Sequence, residues 1–175
     1  ARWQAVHAGP HRAWRRDGVE VQVVVQRLRV EAARRIGAFY QLTQPVYADT
    51  VQLVVWQDGI HMMPHADNAN PDGSPHGMPW RDFASIVYLN DDYDGGAFYL
   101  TALDMLVKPK AGTLVAFTGG FHHEHGVTTI TKGTRITLPA FYQPGGENLA
   151  DLPKAALRPN TRPWLSGPPR CGQRL

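Results

Sequence analysis

Met62-Met63-Pro64-His65-Ala66-Asp67-Asn68 is the stretch on which the reading of this chain turns. In a strand, side chains two apart share a face. His65 and Asp67 would then aim an imidazole and a carboxylate at one point. Two histidines and one carboxylate on one face make a metal site with open octahedral positions. His-x-Asp supplies two of those three ligands, so a third has to come from further along the chain. It is sought in Gly120-Phe121-His122-His123-Glu124-His125-Gly126-Val127, where three histidines compete.

The surrounding text is β-rich. Residues 50–56, 60–67, 83–90, 97–101, 105–107, 113–117, 126–130 and 135–142 read as strands, and Asp58-Gly59 and the acidic residues 91–96 read as turns. Short strands at close spacing suggest two packed sheets, best a double-stranded β-helix (jelly roll, cupin-like). Residues 68–79, broken by Pro71, Gly73, Pro75, Gly77 and Pro79, form a loop beside the ligand pair, where substrate contacts tend to sit. Before the β region, the valine-rich residues 19–25 read as a strand. Residues 26–41 then read as a supporting amphipathic helix with Leu28, Ala32, Ile36 and Phe39 on its buried face. The expected organisation is a domain over residues 1–144, with helical support at 26–41 and a jelly-roll core at 50–142. A Pro- and Arg-rich tail follows over 145–175.

With 175 residues the chain can bury one core. The longest apolar run is well short of the roughly 18 residues of a membrane-spanning helix. The single cysteine, Cys171, excludes an intrachain disulfide and points to a reducing, cytoplasmic compartment. The chain starts at Ala1, which leaves open a removed leader. Net charge is +5 over residues 1–35, −5 over 36–144 and +3 over 145–175. Basic ends could hold an acidic partner, but the favoured reading is a solvated, Arg-rich composition. Zinc-finger spacing and an aromatic-rich basic motif are both missing, which argues against nucleic acid. Asp91, Asp92 and Asp94 lack the EF-hand spacing.

Several ordered segments resemble the Fe(II)/2-oxoglutarate dioxygenases, in particular the prolyl hydroxylase branch. They are His65-Ala66-Asp67-Asn68, Arg81-Asp82-Phe83, Tyr88-Leu89-Asn90 with Gly95-Gly96, Lys108-Pro109-Lys110-Ala111-Gly112, and His125-Gly126-Val127 with Gly133-Thr134-Arg135. The pattern is most similar to leprecan-type prolyl 3-hydroxylases over residues 50–142. The resemblance selects His125 over His122 and His123 as the third ligand. It implies Fe(II) on His65, Asp67 and His125, with 2-oxoglutarate, O₂ and, as an accessory, ascorbate. It also implies that Arg135 holds the far carboxylate of 2-oxoglutarate, a role that suits a planar guanidinium. Tyr88 matches a position whose hydroxyl helps hold that carboxylate. Trp56 stands where prolyl 4-hydroxylase relatives carry tyrosine. Its indole donates but does not accept hydrogen bonds, which leaves it to pack against the co-substrate. Phe141 replaces a tryptophan of many relatives. Asn68 and Arg81 are candidate substrate contacts.

The implied activity is hydroxylation of an unactivated C–H in a prolyl or other residue of a peptide or protein. Hydroxylation of a free amino acid or small natural product uses the same iron site and remains an alternative. So does a non-catalytic cupin-like sensing domain. A zinc hydrolase would have no use for Arg135. His61, His76, His122 and His123 read as surface or supporting residues, and Phe83, Val87, Leu89, Phe98, Leu100, Leu114 and Phe117 as core.

Overall fold

The computed structural model describes residues 15–16, 19–49, 51–72, 74 and 76–145. The expected tail, apart from Gly145, lies outside them. In chain order, β1 (Arg15–Arg16) and β2 (Val19–Glu20) form a short ladder, and α1 (Val21–Phe39) follows at once. The strands after it are β3 (Val46–Ala48), β4 (Val54–Trp56), β5 (Met62–His65), β6 (Phe83–Tyr88), β7 (Asp94–Gly95), β8 (Phe98–Leu100) and β9 (Met105–Val107). The chain finishes with β10 (Leu114–Thr118), a 3₁₀ turn (Phe121–His123), β11 (His125–Val127), β12 (Ile130–Lys132) and β13 (Arg135–Pro144).

All pairings are antiparallel. The major sheet has the order β10-β6-β13-β3, with β4 also pairing β13; the minor sheet is β5-β11-β8-β9. β12 and β7 form a separate ladder. These two facing sheets make the expected jelly roll.

Period-2 alternation on the long central strand β13 sorts its residues. Leu138, Ala140 and Tyr142 are buried, and the latter two join Phe83, Ala48 and the helix residues Ala32, Ala33 and Ile36 in one apolar cluster. Arg135, Thr137, Pro139 and Phe141 point the other way, into a cavity. Ala84, Phe98, Leu100 and Phe117 form the core between the sheets. The major sheet therefore rests one face on α1 and turns the other toward the minor sheet.

The helix differs from expectation in two respects. Val21 to Val25 are helical, not strand. β-branched runs favour strands only weakly, and here packing of one helix face decides. Phe39 is 57% exposed rather than buried. The buried face holds Arg29, Ala32, Ala33 and Ile36 instead, and Arg29 Nη1 donates to the Asp49 carbonyl at 3.0 Å. Gln41, at φ 53°, ends the helix in the left-handed conformation, and Leu42 N–H closes on the Gly37 carbonyl at 2.9 Å. The strand expected over residues 50–56 shortens to β4, and β3 had not been expected. Val87, Leu114 and Leu89 are not fully buried; Leu89 is exposed. Among the described residues, no helix is long and apolar enough to cross a membrane.

Ile36→Ala should lower stability by about 2–5 kcal/mol, through lost burial and the cavity left behind. Phe39→Ala should cost no more than about 0.5 kcal/mol. Urea denaturation of the two variants checks this; equal losses would contradict the assigned helix face.

Candidate metal and co-substrate site

His65 ends β5 and His125 begins β11, and the two are directly paired across the ladder. Their rings lie 4.4 Å apart between centroids. A register shift follows, because Val127 pairs with Met62. The extra residue on β5 is a bulge, which re-aims side chains and lets both Met62 and His65 line the same cavity. Pro64 is tolerated because β5 is an edge strand. Gly126 is needed where it stands: a Cβ there would collide with the Tyr99 ring and the Met62 carbonyl.

Asp67 reaches the same point by a different route from the one periodicity suggests. The strand has already ended, and Asp67 lies in the bend after it. Its N–H and that of Asn68 donate to the Gly119 carbonyl at 2.7 and 3.2 Å. The carboxylate oxygens lie 3.7 Å from His65 Nε2 and 3.9 Å from His125 Nε2. One ligand atom from each of the three residues can be chosen so that all lie within 4.8 Å of one another.

The tautomers follow from backbone carbonyls, which only accept hydrogen bonds. His65 Nδ1 donates to the Met63 carbonyl at 3.1 Å, and His125 Nδ1 to the His123 carbonyl at 3.0 Å. Each neutral ring then turns a bare Nε2 lone pair toward Asp67. Asp67 is 5% exposed, and its Oδ2 is buried with no hydrogen-bond partner among the described residues. Burial raises its pKa, against the pull of His65, Arg81 and His76. Burial beside His65 pushes His125 down to about 4. Two bare imidazole nitrogens and an orphaned carboxylate oxygen converging on one point fit a divalent cation such as Fe(II).

At the other sheet, Arg135 opens β13 and is 2% exposed. Thr137 pairs with Tyr88, so Arg135 is Tyr88's diagonal neighbour, and its Nη2 donates to the Tyr88 hydroxyl at 3.2 Å. Trp56 is its direct cross-strand partner, with the guanidinium 5.1 Å from the indole centroid. No ion pair joins Arg135 among the described residues, and its Nε is buried without a partner. Asn90 fixes the start of this strand: it donates to the Thr134 carbonyl at 2.7 Å and accepts from Ile136 N–H at 2.8 Å. One cavity of about 150 Å³ is walled by His65, Asp67 and His125 as well as by Arg135 and Trp56. A larger groove, about 410 Å³, lies over Asp91, Asp92 and the lysines 108, 110 and 132 and contains none of these residues.

Arg81 and Asn68 are close to the triad but do not line the cavity. The Arg81 guanidinium lies 3.6 Å over the Phe141 ring, itself a cavity wall. Asn68 packs on Gly119 and Gly120. His76, read as a solvated loop residue, is half-buried and near enough to Asp67 to lower its pKa. His123 is half-buried, its Nδ1 2.6 Å from Thr118 Oγ1. Tyr93, buried beside Arg135, was not singled out from the sequence at all.

A jelly roll carrying two histidines and a carboxylate near a buried arginine defines the class of mononuclear non-haem metal oxygenases. The profile described as the 2OG-Fe(II) oxygenase superfamily matches residues 51–143, more than half of the chain, and the chain belongs to that family. Its cofactors are accordingly Fe(II), 2-oxoglutarate and O₂. The chain is 29% identical to human prolyl 3-hydroxylase 2 over 154 residues, covering 73% of this chain and 22% of that one. It is 31% identical to mouse prolyl 3-hydroxylase 1 over 153 residues, covering 71% and 21%. It thus spans about a fifth of the length of either relative. Among solved structures, the viral collagen prolyl hydroxylase of Paramecium Bursaria Chlorella virus-1 superposes with a TM-score of 0.59 at 17% identity, over 70% of this chain and 74% of that one. A 2OG-Fe(II) oxygenase family oxidoreductase from Burkholderia pseudomallei gives 0.57 at 18%, over 75% and 60%.

In metal-free protein, unfolded histidine takes up a proton near pH 6.5, whereas folded His125 does so only near 4. Stability contributed by neutral His125 is therefore present above 6.5 and lost as pH falls through about 4. Asp67 acts in the opposite sense, because its folded pKa lies above 3.8 and acid relieves its burial. His125→Gln should flatten the acid-side fall of Tm between pH 6.5 and 4 in metal-free protein. An unchanged slope would contradict a buried neutral His125.

Proposed function

We propose that this chain is the catalytic domain of an Fe(II)- and 2-oxoglutarate-dependent hydroxylase acting on prolyl residues of a peptide or protein. The observation that carries the reading is the single cavity with an orphaned carboxylate at one end and an acid-free guanidinium at the other. The assignment to prolyl substrates rests on the names of the relatives, both prolyl 3-hydroxylases. His65, Asp67 and His125 hold the iron. Arg135 and Tyr88 hold the far carboxylate of 2-oxoglutarate, and Trp56 flanks the guanidinium. When bound, iron with 2-oxoglutarate and O₂ supplies the oxidising power: one oxygen atom enters the substrate C–H, and the other leaves in succinate as CO₂ is released.

The protein's own contribution is positioning and exclusion of water. The Met63 and His123 carbonyls keep both Nε2 lone pairs available. Phe117, Phe98 and Phe141 give the site dry walls: Phe117 and Phe98 pack on the His125 ring at 4.5 and 5.4 Å between centroids. Arg81, stacked on Phe141, and Asn68 stand at the triad's edge as substrate contacts. Among the described residues of the loop after Asp67, residues 71, 72, 74 and 77–80 are exposed, including Met78 and Trp80. That openness favours a peptide over an enclosed small molecule.

Asp67→Ala should abolish iron-dependent succinate formation, and retained turnover would remove Asp67 from the metal site. Arg135→Ala leaves a buried carboxylate unpaired on binding, which costs about 2–5 kcal/mol, or roughly 30- to 5,000-fold in the Kd for 2-oxoglutarate. An unchanged Kd would reject the anchor. The substrate class is tested by mass spectrometry of proline-containing peptides against free proline, with iron, 2-oxoglutarate and ascorbate supplied. A one-oxygen gain on the peptide alone supports the proposal. Preferential oxidation of the free amino acid would favour a small-molecule hydroxylase.

A further inference from the structure

Tyr93 belongs to none of the assignments above, yet it is 4% exposed, and its buried hydroxyl makes no hydrogen bond of good geometry among the described residues. The same is true of Arg135 Nε. Two unsatisfied buried polar groups are costly to leave unmade, and these two are neighbours. A methyl added at Gly96 would lie 2.9 Å from Tyr93 Cε2 and 3.2 Å from Arg135 Cδ, so both side chains press on one glycine. A methyl at Gly133 would lie 3.3 Å from Tyr93 Cα and 3.4 Å from its Cβ. Gly96 and Gly133 together leave the space that seats this tyrosine against the arginine. Burial raises the Tyr93 pKa, and the Arg135 charge together with a side-chain hydrogen bond to Arg135 draws it back down, which places the phenol within reach of the guanidinium.

We propose that Tyr93 is a positioning residue for Arg135, and through it a determinant of selectivity for keto acids with a distal carboxylate. This rests on the reading of Arg135 as the co-substrate anchor. Its hydroxyl oxygen is the acceptor that Arg135 Nε–H lacks, and Tyr88 already accepts from Nη2. Two phenols then hold the Nε–Nη2 edge of the guanidinium. That leaves the edge with Nη1 and the second Nη2 hydrogen as the fork for a carboxylate. Without the Tyr93 oxygen, Nε–H stays buried and unpaired, and the plane of the fork is free to swing.

The test compares two ligands on Mn(II)-loaded protein by calorimetry. 2-Oxoglutarate has both the chelating keto-acid head and the far carboxylate; 2-oxobutyrate has the same head without it. Tyr93→Phe should weaken 2-oxoglutarate about tenfold, as expected for loss of one hydrogen bond to a charged group, and leave 2-oxobutyrate unchanged. In the Arg135→Lys background the same substitution should have no further effect on 2-oxoglutarate. Equal 2-oxoglutarate affinity in wild type and Tyr93→Phe would overturn the proposal. Equal weakening of both keto acids would also overturn it, since that is the signature of general packing damage. A wild-type protein that does not distinguish the two keto acids would sink the Arg135 anchor itself, and this proposal with it.

Discussion

Two opposite charges buried in one cavity, and held apart, are the constraint on which this structure depends. Asp67 and Arg135 line the same chamber, yet no ion pair joins them. Each is at least nine-tenths buried. Leaving a charge buried and unpaired costs several kcal/mol, and a free chain would relieve that by collapse of one group onto the other. The fold prevents it by fixing the backbone of each at a separate anchor. Asp67 follows the minor-sheet edge strand β5 and is tied by its N–H to the Gly119 carbonyl just past β10, whereas Arg135 opens β13 in the interior of the major sheet. A cation at one end and a dicarboxylate spanning to the other would satisfy both.

The remaining architecture keeps that separation rigid. Helix α1 covers the outer face of the major sheet, so the inner face is free to carry the arginine, the tyrosine and the cavity walls. Backbone carbonyls rather than side chains orient both histidines, which ties imidazole geometry to strand geometry. Asn90 and the glycines at 96 and 133 do the same for the arginine end.

Much of this was legible in the chain. His65 and Asp67 stand out by residue type and spacing, His125 and Arg135 by the resemblance to the family's motifs, and short alternating strands mark the two sheets. Strand alternation alone does not place Asp67: a bulge in β5 and a hydrogen bond to Gly119, both long-range, do. The valine run at 21–25 misled because β-branched residues favour strands only weakly, and here the run continues into the helix that packs through Ala32, Ala33 and Ile36. Phe39 misled because helical period alone does not say where the stripe ends. Tyr93 was invisible for a related reason. Nothing local distinguishes it from other tyrosines, and its importance arises only when two glycines bring it against Arg135.

The most direct measurement is anaerobic titration of Fe(II)-loaded protein with 2-oxoglutarate, followed by visible absorption. A weak charge-transfer band from the chelated keto acid, present in wild type and absent in His125→Ala, is the predicted result. Iron binding without that band would contradict a chamber built to join a metal to a far-anchored dicarboxylate.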